Sequence, residues 1–334
     1  MTDGDNLRRR TTLSDDTLMQ YLSAAAQWLK VRYGILAPIY DHSALVAKPR
    51  LIPFLAEILR QRRTWREPQQ KKEPYTGAMF QVLHREIGRA YTVDRQAHLD
   101  VQAAVFDWAR LGVFTGSRLS EYAQSKTAKG KLYATIPDSA AAGRWRGQPI
   151  AFIYDDFMFY SEGRISVSYL EALRSGAEEL HIRFRFDKSK ENFTVRKFRR
   201  NHGHYLCPVK AALSILERAQ TLNVLRHFPI EVYRVDMRGN YRFLTGQVII
   251  KVMRGACVAA HQNPQHYMRL NVNRIVSHSN RVTAAVALHN AGVPVEDITF
   301  RLRWNSDAVS FYLRECFKNI GMLSASSLIG VLDT

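Results

Sequence analysis

The feature that most limits how this chain can fold is the stretch from Thr64 to Pro74, TWREPQQKKEP, with two prolines and five charged side chains. It has little apolar surface to bury and its prolines break regular structure, so a hydrophobic core cannot run through it. The 334 residues are therefore split into a short N-terminal part and a long C-terminal part, in keeping with domains of roughly 100–200 residues. The expected organisation is a flexible basic arm over 1–12, a helical domain over 13–66, a linker over 67–75 and a larger domain over 76–334.

Within the first domain, Ser14, Asp15 and Asp16 supply capping residues ahead of Leu18, Tyr21, Leu22, Ala25, Leu29 and Tyr33, which recur at helical spacing. Leu51, Phe54, Leu55, Ile58 and Leu59 predict a second helix, which runs into Arg60, Arg62 and Arg63. In the larger domain, helices are predicted over 76–92 and 96–114. Strands are predicted over 150–154, 165–169, 180–186 and 193–198, the last two forming a hairpin. In that hairpin His181, Arg183, Arg185 and Asp187 alternate with Ile182, Phe184 and Phe186, as in a half-buried strand. After Cys207-Pro208 the helical pattern returns and continues to the end, with a break at Gly292 and Pro294. The fold class is mainly α with a small antiparallel β-sheet, an α+β arrangement.

The composition, 46% hydrophobic and 11% aromatic, is enough to fill cores. Against it stand 48 Lys and Arg facing 30 Asp and Glu, a net charge of +18. Such an excess calls for an extended anionic partner, and nucleic acid is the commonest. The chain has no apolar run of about 18 residues to span a bilayer, and its N-terminus lacks the apolar stretch of a secretory signal. Cys207, Cys257 and Cys316 fit neither a disulfide framework nor a zinc site, so reduced thiols, an intracellular setting and no structural metal are expected.

Three short segments carry chemistry. In Phe114–Tyr122, FTGSRLSEY, Thr115-Gly116 interrupts a helix and Glu121 follows Arg118 by three residues, so the carboxylate can orient the guanidinium. In HSNR, His278 and Arg281 set an imidazole beside a permanent cation at a helix start, an arrangement suited to a phosphate. In Arg303–Glu315, RWNSDAVSFYLRE, Trp304 precedes Tyr312 by eight residues. Taken singly, these would be a surface ion pair, an ordinary helix start and a core aromatic; their order and spacing argue otherwise.

Together they resemble the tyrosine recombinases, the phage integrase family. The first box of that family reads like T-G-x-R-x-S-E, matched by Thr115, Gly116, Arg118, Ser120 and Glu121, and its H-x-x-R by His278 and Arg281. In many members a Gly lies 11 residues after that Arg and a His or Trp 23 after it, the places of Gly292 and Trp304 here. The tyrosine usually follows one residue later than Tyr312 does. This departure, with Arg303-Trp304 and Asp307-Ala308, resembles eukaryotic transposon recombinases of the Crypton and DIRS kind.

The resemblance implies a helical core-binding domain and a catalytic domain that close as a C-shaped clamp on double-stranded DNA. It implies a catalytic lysine in a hairpin turn, for which Lys188 is the better match and Lys190 the alternative. Tyr312 would be the nucleophile, and Arg118 and Arg281 would stabilise the charge on the pentavalent phosphorus. Lys188 would protonate the leaving 5′ oxygen. His278 would take the tyrosine proton or hydrogen-bond a non-bridging oxygen, Trp304 would donate to another, and Glu121 would support Arg118. The bond energy stays in a 3′-phosphotyrosine, so neither cofactor, metal nor ATP is expected.

Arg60, Arg62, Arg63, Lys71, Lys72, Lys190, Arg196, Lys197, Arg199 and Arg200 are candidates for DNA contact. In relatives a C-terminal segment docks on the neighbouring protomer to build a tetramer on two DNA sites. The apolar tail over about 316–334, with Phe317, Ile320, Leu323, Leu328, Ile329 and Leu332, suits that role. The expected place of action is the nucleus in a eukaryote and otherwise the cytoplasm, with the protein not secreted. Two other readings remain open: a retired recombinase that only binds DNA, and a type IB topoisomerase, which uses the same residue types.

Overall fold

In a computed structural model of the chain, the described residues are 15–34, 40–41, 50–51, 56–57, 72–123, 133–136, 147–161, 164–165, 171–172, 176–185, 194–261, 270–304 and 313. They fall into two compact units, Met1–Gln70 and Lys71–Thr334. Among them no helix is long and apolar enough to cross a membrane.

The first unit contains α1, Asp15–Tyr33, and a small antiparallel pair, β1 Tyr40–Asp41 with β2 Arg50–Leu51. Leu51 is thus in a strand, where a helix over Leu51–Leu59 was expected. Residues 56–57 of that stretch are helical, and 52–55 and 58–59 lie outside the described residues.

The second unit is built on α2, Gly77–Val93, and α3, Val101–Thr115, with a 3-10 turn at Ala97–Leu99 between them. Thr76 caps α2, its hydroxyl accepting from the Met79 N–H. The single helix expected over 96–114 is broken at Asp100, whose carboxylate is taken by the buried Arg234 guanidinium at 2.8 and 3.0 Å. Residues 72–75, expected as the end of a linker, belong to this unit: Glu73 N–H donates to the Arg274 carbonyl and Tyr75 N–H to Thr283 Oγ1.

Helix α3 is the axis of the core. It is buried from Ala103 to Val113, and a helix with no solvent face must be enclosed by neighbours. Those neighbours are α2, α5 (Pro208–Thr221), α6 (Gly246–His261) and α7 (Ser279–Asn290). A four-residue helix, α4 Leu119–Tyr122, follows α3, and α8, Val295–Arg301, packs on α7. A second apolar cluster joins Ala284, Ala285 and Leu288 of α7 to Ile298, Leu302, Trp304 and Leu313.

A four-stranded antiparallel sheet, ordered β4-β3-β5-β6, uses β3 Phe157–Ser161, β4 Arg164–Ile165, β5 Glu179–Phe184 and β6 Thr194–Arg199. Leu180 faces Phe198 and Arg183 faces Val195 across the hairpin. Three expectations change here. Residues 150–153 are not a strand, because the Asp156 carboxylate accepts the Ile153 N–H and turns the backbone before β3 begins. The open face expected of β5 is partly covered: the Tyr160 ring lies over the buried His181 while Arg183 stays partly exposed, and Arg185, just past the strand, is buried and bonds Asp156 at 2.6 Å. The helical run expected after Pro208 is interrupted by a hairpin, β7 Val232–Arg234 with β8 Tyr241–Phe243, whose turn is closed by Asp236 accepting from the Arg238 and Asn240 N–H groups.

Candidate active site

The site is assembled from three segments, 116–122, 277–281 and 302–304, the first more than 150 positions from the other two. Gly116 ends α3 in the left-handed region at φ 56°, and a Cβ there would stand 2.3 Å from Leu302 Cδ2. Only glycine permits both this backbone and this approach, so the turn after α8 can lie against the start of α4. Arg118 occupies the N-cap position of α4, and its own N–H donates to Glu121 Oε2 at 2.7 Å. Tyr122 is buried and donates its hydroxyl hydrogen to the Ser277 carbonyl, which ties α4 to the start of α7.

At that start His278 holds the N-cap position and Arg281 follows on the first turn, 5% exposed. The Arg281 guanidinium donates from Nη2 to the Leu302 carbonyl and, at 2.8 Å, to the Arg303 carbonyl. Arg118 Nη2 donates to that same Arg303 carbonyl at 2.9 Å. One oxygen thus gathers both guanidiniums, and the two donor nitrogens are no farther apart than these two bonds together. Two like charges about 6 Å apart repel by about 3 kcal/mol at an effective dielectric of about 20. A structure that holds them together is therefore stabilised by an anion placed between them.

The Trp304 ring packs under Arg281, whose Cζ is 5.1 Å from its centroid, and the His278 ring centroid is 6.0 Å from that of Trp304. Burial, reinforced by the positive charges of Lys72 and Arg281, lowers the His278 pKa to about 4. At neutral pH the imidazole is neutral, with one nitrogen able to accept a proton.

Of the residues singled out in the sequence, Arg118, Glu121, His278, Arg281 and Trp304 are brought together. Glu121 does so with a changed partner. It approaches the Arg118 guanidinium only at 3.8 Å, and its two oxygens accept instead from Arg303 Nη1 and Nη2 at 2.7 and 2.9 Å. Arg303 is the residue the sequence reading passed over; the Arg303-Trp304 pair was legible, but nothing local revealed where the guanidinium would go.

Tyr312, Lys188, Lys190, Arg60, Arg62, Arg63, Lys71, the arm over 1–12 and the tail over 316–334 lie outside the described residues. Leu313, next to Tyr312 in sequence, is buried in the cluster with Trp304. Lys72 is exposed and close enough to influence His278. Among the other DNA-contact candidates, Arg196 is held by the Phe300 carbonyl and ring, and Arg200 donates to the Ala177 carbonyl. Lys197 and Arg199 project from the exposed side of β6, Arg199 lying 3.7 Å from Glu179. A cleft of about 610 Å³ beside this strand is lined by Val195, Arg196, Lys197, Arg199, Phe300 and Arg301.

No protein-family model matches the chain, and no curated protein matches it.

Proposed function

We propose that the chain is a site-specific DNA recombinase of the tyrosine type, which cleaves and rejoins strands through a covalent 3′-phosphotyrosine. The observation that carries this reading is the convergence of Arg118 and Arg281 on a single acceptor oxygen, beside a neutral His278 and the Trp304 indole. Two permanent cations on one oxygen match the demand of a phosphoryl-transfer transition state, where charge builds on the non-bridging oxygens. Guanidinium suits it because its donors are paired and its charge cannot be lost.

In the reaction the Tyr312 oxygen attacks phosphorus, and the bond from phosphorus to the 5′ oxygen breaks. His278 takes the phenolic proton, and Lys188, or Lys190 in its place, gives a proton to the departing 5′ oxygen. A 5′-hydroxyl from a second strand reverses each step and frees the tyrosine. The net charge of +18 supplies phosphate contacts, with Lys197 and Arg199 as the exposed candidates on β6. The two units act as a C-shaped clamp on the duplex, the C-terminal tail docks on a neighbouring protomer to form a tetramer, and the element served is a Crypton- or DIRS-like transposon acting in a nucleus.

The test uses the full chain and its Tyr312→Phe variant on a library of nicked suicide duplexes. A protease-sensitive adduct on DNA 3′ ends, formed by wild type and absent with Tyr312→Phe, is the expected result. Salt-sensitive binding by both proteins with no adduct from either would make the chain a DNA-binding relative that has lost catalysis.

A further inference from the structure

We infer that Arg303 is a positioning residue, the part that holds the two phosphate-gripping arginines in register and links them to the strand leading into the lysine turn. The inference rests on the recombinase reading for what the pair grips, but its geometry stands apart from that reading. Arg303 touches every described segment of the site. Its guanidinium makes a two-pronged pair with Glu121 of α4, at 2.7 and 2.9 Å. The same guanidinium lies flat over Phe184, the last residue of β5, with Cζ 3.9 Å from the ring centroid. Its carbonyl accepts from Arg118 and from Arg281 of α7.

The backbone conformation adds an independent argument. Arg303 has φ 55°, a left-handed value that a non-glycine residue adopts at a cost. The guanidinium is wholly buried, as is Glu121. A buried two-pronged pair fixes the side chain at both ends of its planar fork, and thereby over-determines a turn that would otherwise relax. It is this turn that places the Arg303 carbonyl between the two arginines. The side chain thus acts on Arg118 and Arg281 through its own backbone, with no direct bond to them needed.

Position matters at this scale because a displacement of about 1 Å in a reacting group can cost about 10²-fold in rate. The pair with Glu121 and the stack on Phe184 make one side chain set the spacing between the arginines and the hairpin. Glycine at 303 would accept the left-handed backbone and keep the carbonyl, but nothing would hold the turn.

The experiment compares wild type, Arg303→Gly, Arg303→Lys and Glu121→Gln as full chains. Three quantities are read: the single-turnover rate of adduct formation at saturating DNA, the DNA Kd, and the thermal midpoint. Arg303→Gly is expected to slow adduct formation by about 10²-fold while Kd changes by less than about threefold, and Arg303→Lys to recover part of the rate. Glu121→Gln should slow the reaction comparably and add little to Arg303→Gly, since both break one pair. A loss confined to Kd or to the thermal midpoint would overturn the inference, and so would a faster Arg303→Gly, which would make the carbonyl a brake standing in the phosphate's place. Should wild type form no adduct, the recombinase reading fails, and positioning is then read from the Arg118 and Arg281 side-chain N–H resonances, assigned with Lys variants. Shifted and broadened signals in Arg303→Gly support positioning, and unchanged ones refute it.

Discussion

Among the carboxylates of the second unit that sit among arginines, Asp107 and Glu121 treat the charge in opposite ways. On α3, Asp107 meets Arg110 at 2.7 Å and also pairs with Arg218 of α5. Other donors bond the structure around them: Arg218 bonds the His98 carbonyl, and Arg110 the carbonyls of Tyr205 and Lys210 and the Ser214 hydroxyl, while Arg218 Nη1 and Arg110 Nε are buried without a partner among the described residues. At the candidate site Glu121 gives both oxygens to Arg303, while Arg118 and Arg281 meet on a carbonyl. The first arrangement uses cations to fasten helices. The second ties one guanidinium to the carboxylate and aims two others at the carbonyl of the same arginine. A buried charge network is thus no sign of function by itself; what matters is where its donors converge.

Mutations can break this contrast. The largest effect is expected at the fastening network, where Asp107→Ala leaves two buried cations short of their partner and should cost about 3–5 kcal/mol of stability, measured by denaturant unfolding. The rate of adduct formation per folded molecule should stay at the wild-type value. Next comes Arg118→Ala, with the opposite profile. Loss of one donor to a developing oxyanion should slow adduct formation by about 10²–10³-fold, or about 2.7–4 kcal/mol. The thermal midpoint should hold or rise, because removing one of two neighbouring cations relieves repulsion. A clear fall in that midpoint would make the arginine pair another fastening.

The smallest effect concerns His278. Its folded pKa of about 4 lies below the ordinary 6.5, so as pH falls through 6.5 the unfolded chain takes up a proton there before the folded one does. The contribution of neutral His278 is complete above about pH 6.5 and is lost toward about pH 4. At about pH 5 the difference should be about 1–2 kcal/mol. His278→Gln should therefore show a shallower decline in thermal midpoint between about pH 7 and 5. Equal slopes would mean that the imidazole is not held neutral by its surroundings.

The helices were legible where the helical pattern is unbroken, as in α2 and in α7 after His278. The β5–β6 hairpin was legible from its alternation, although its second face is partly covered by Tyr160 and by the Asp156 pairs, contributed by other segments. Misreadings arose where a local competitor won: Asp156 against a strand before β3, and Asp236 with Asn240 closing a hairpin inside an apparently helical region. Each of these competitors stands in the sequence. Their outcome depends on which partners the fold brings within reach.

The sequence by itself determined which side chains are available to the site and in what order, because residue type and spacing are covalent facts. Thr115-Gly116, Arg118, His278, Arg281 and Trp304 could be named from it for that reason. Only the tertiary structure decided that Glu121 pairs with Arg303, and that one carbonyl in a left-handed turn collects two guanidiniums. The bonds from Arg303 to Glu121 and from Arg118 to Arg303 span more than 150 positions, and which donors meet which acceptors across such distances is fixed by packing around α3.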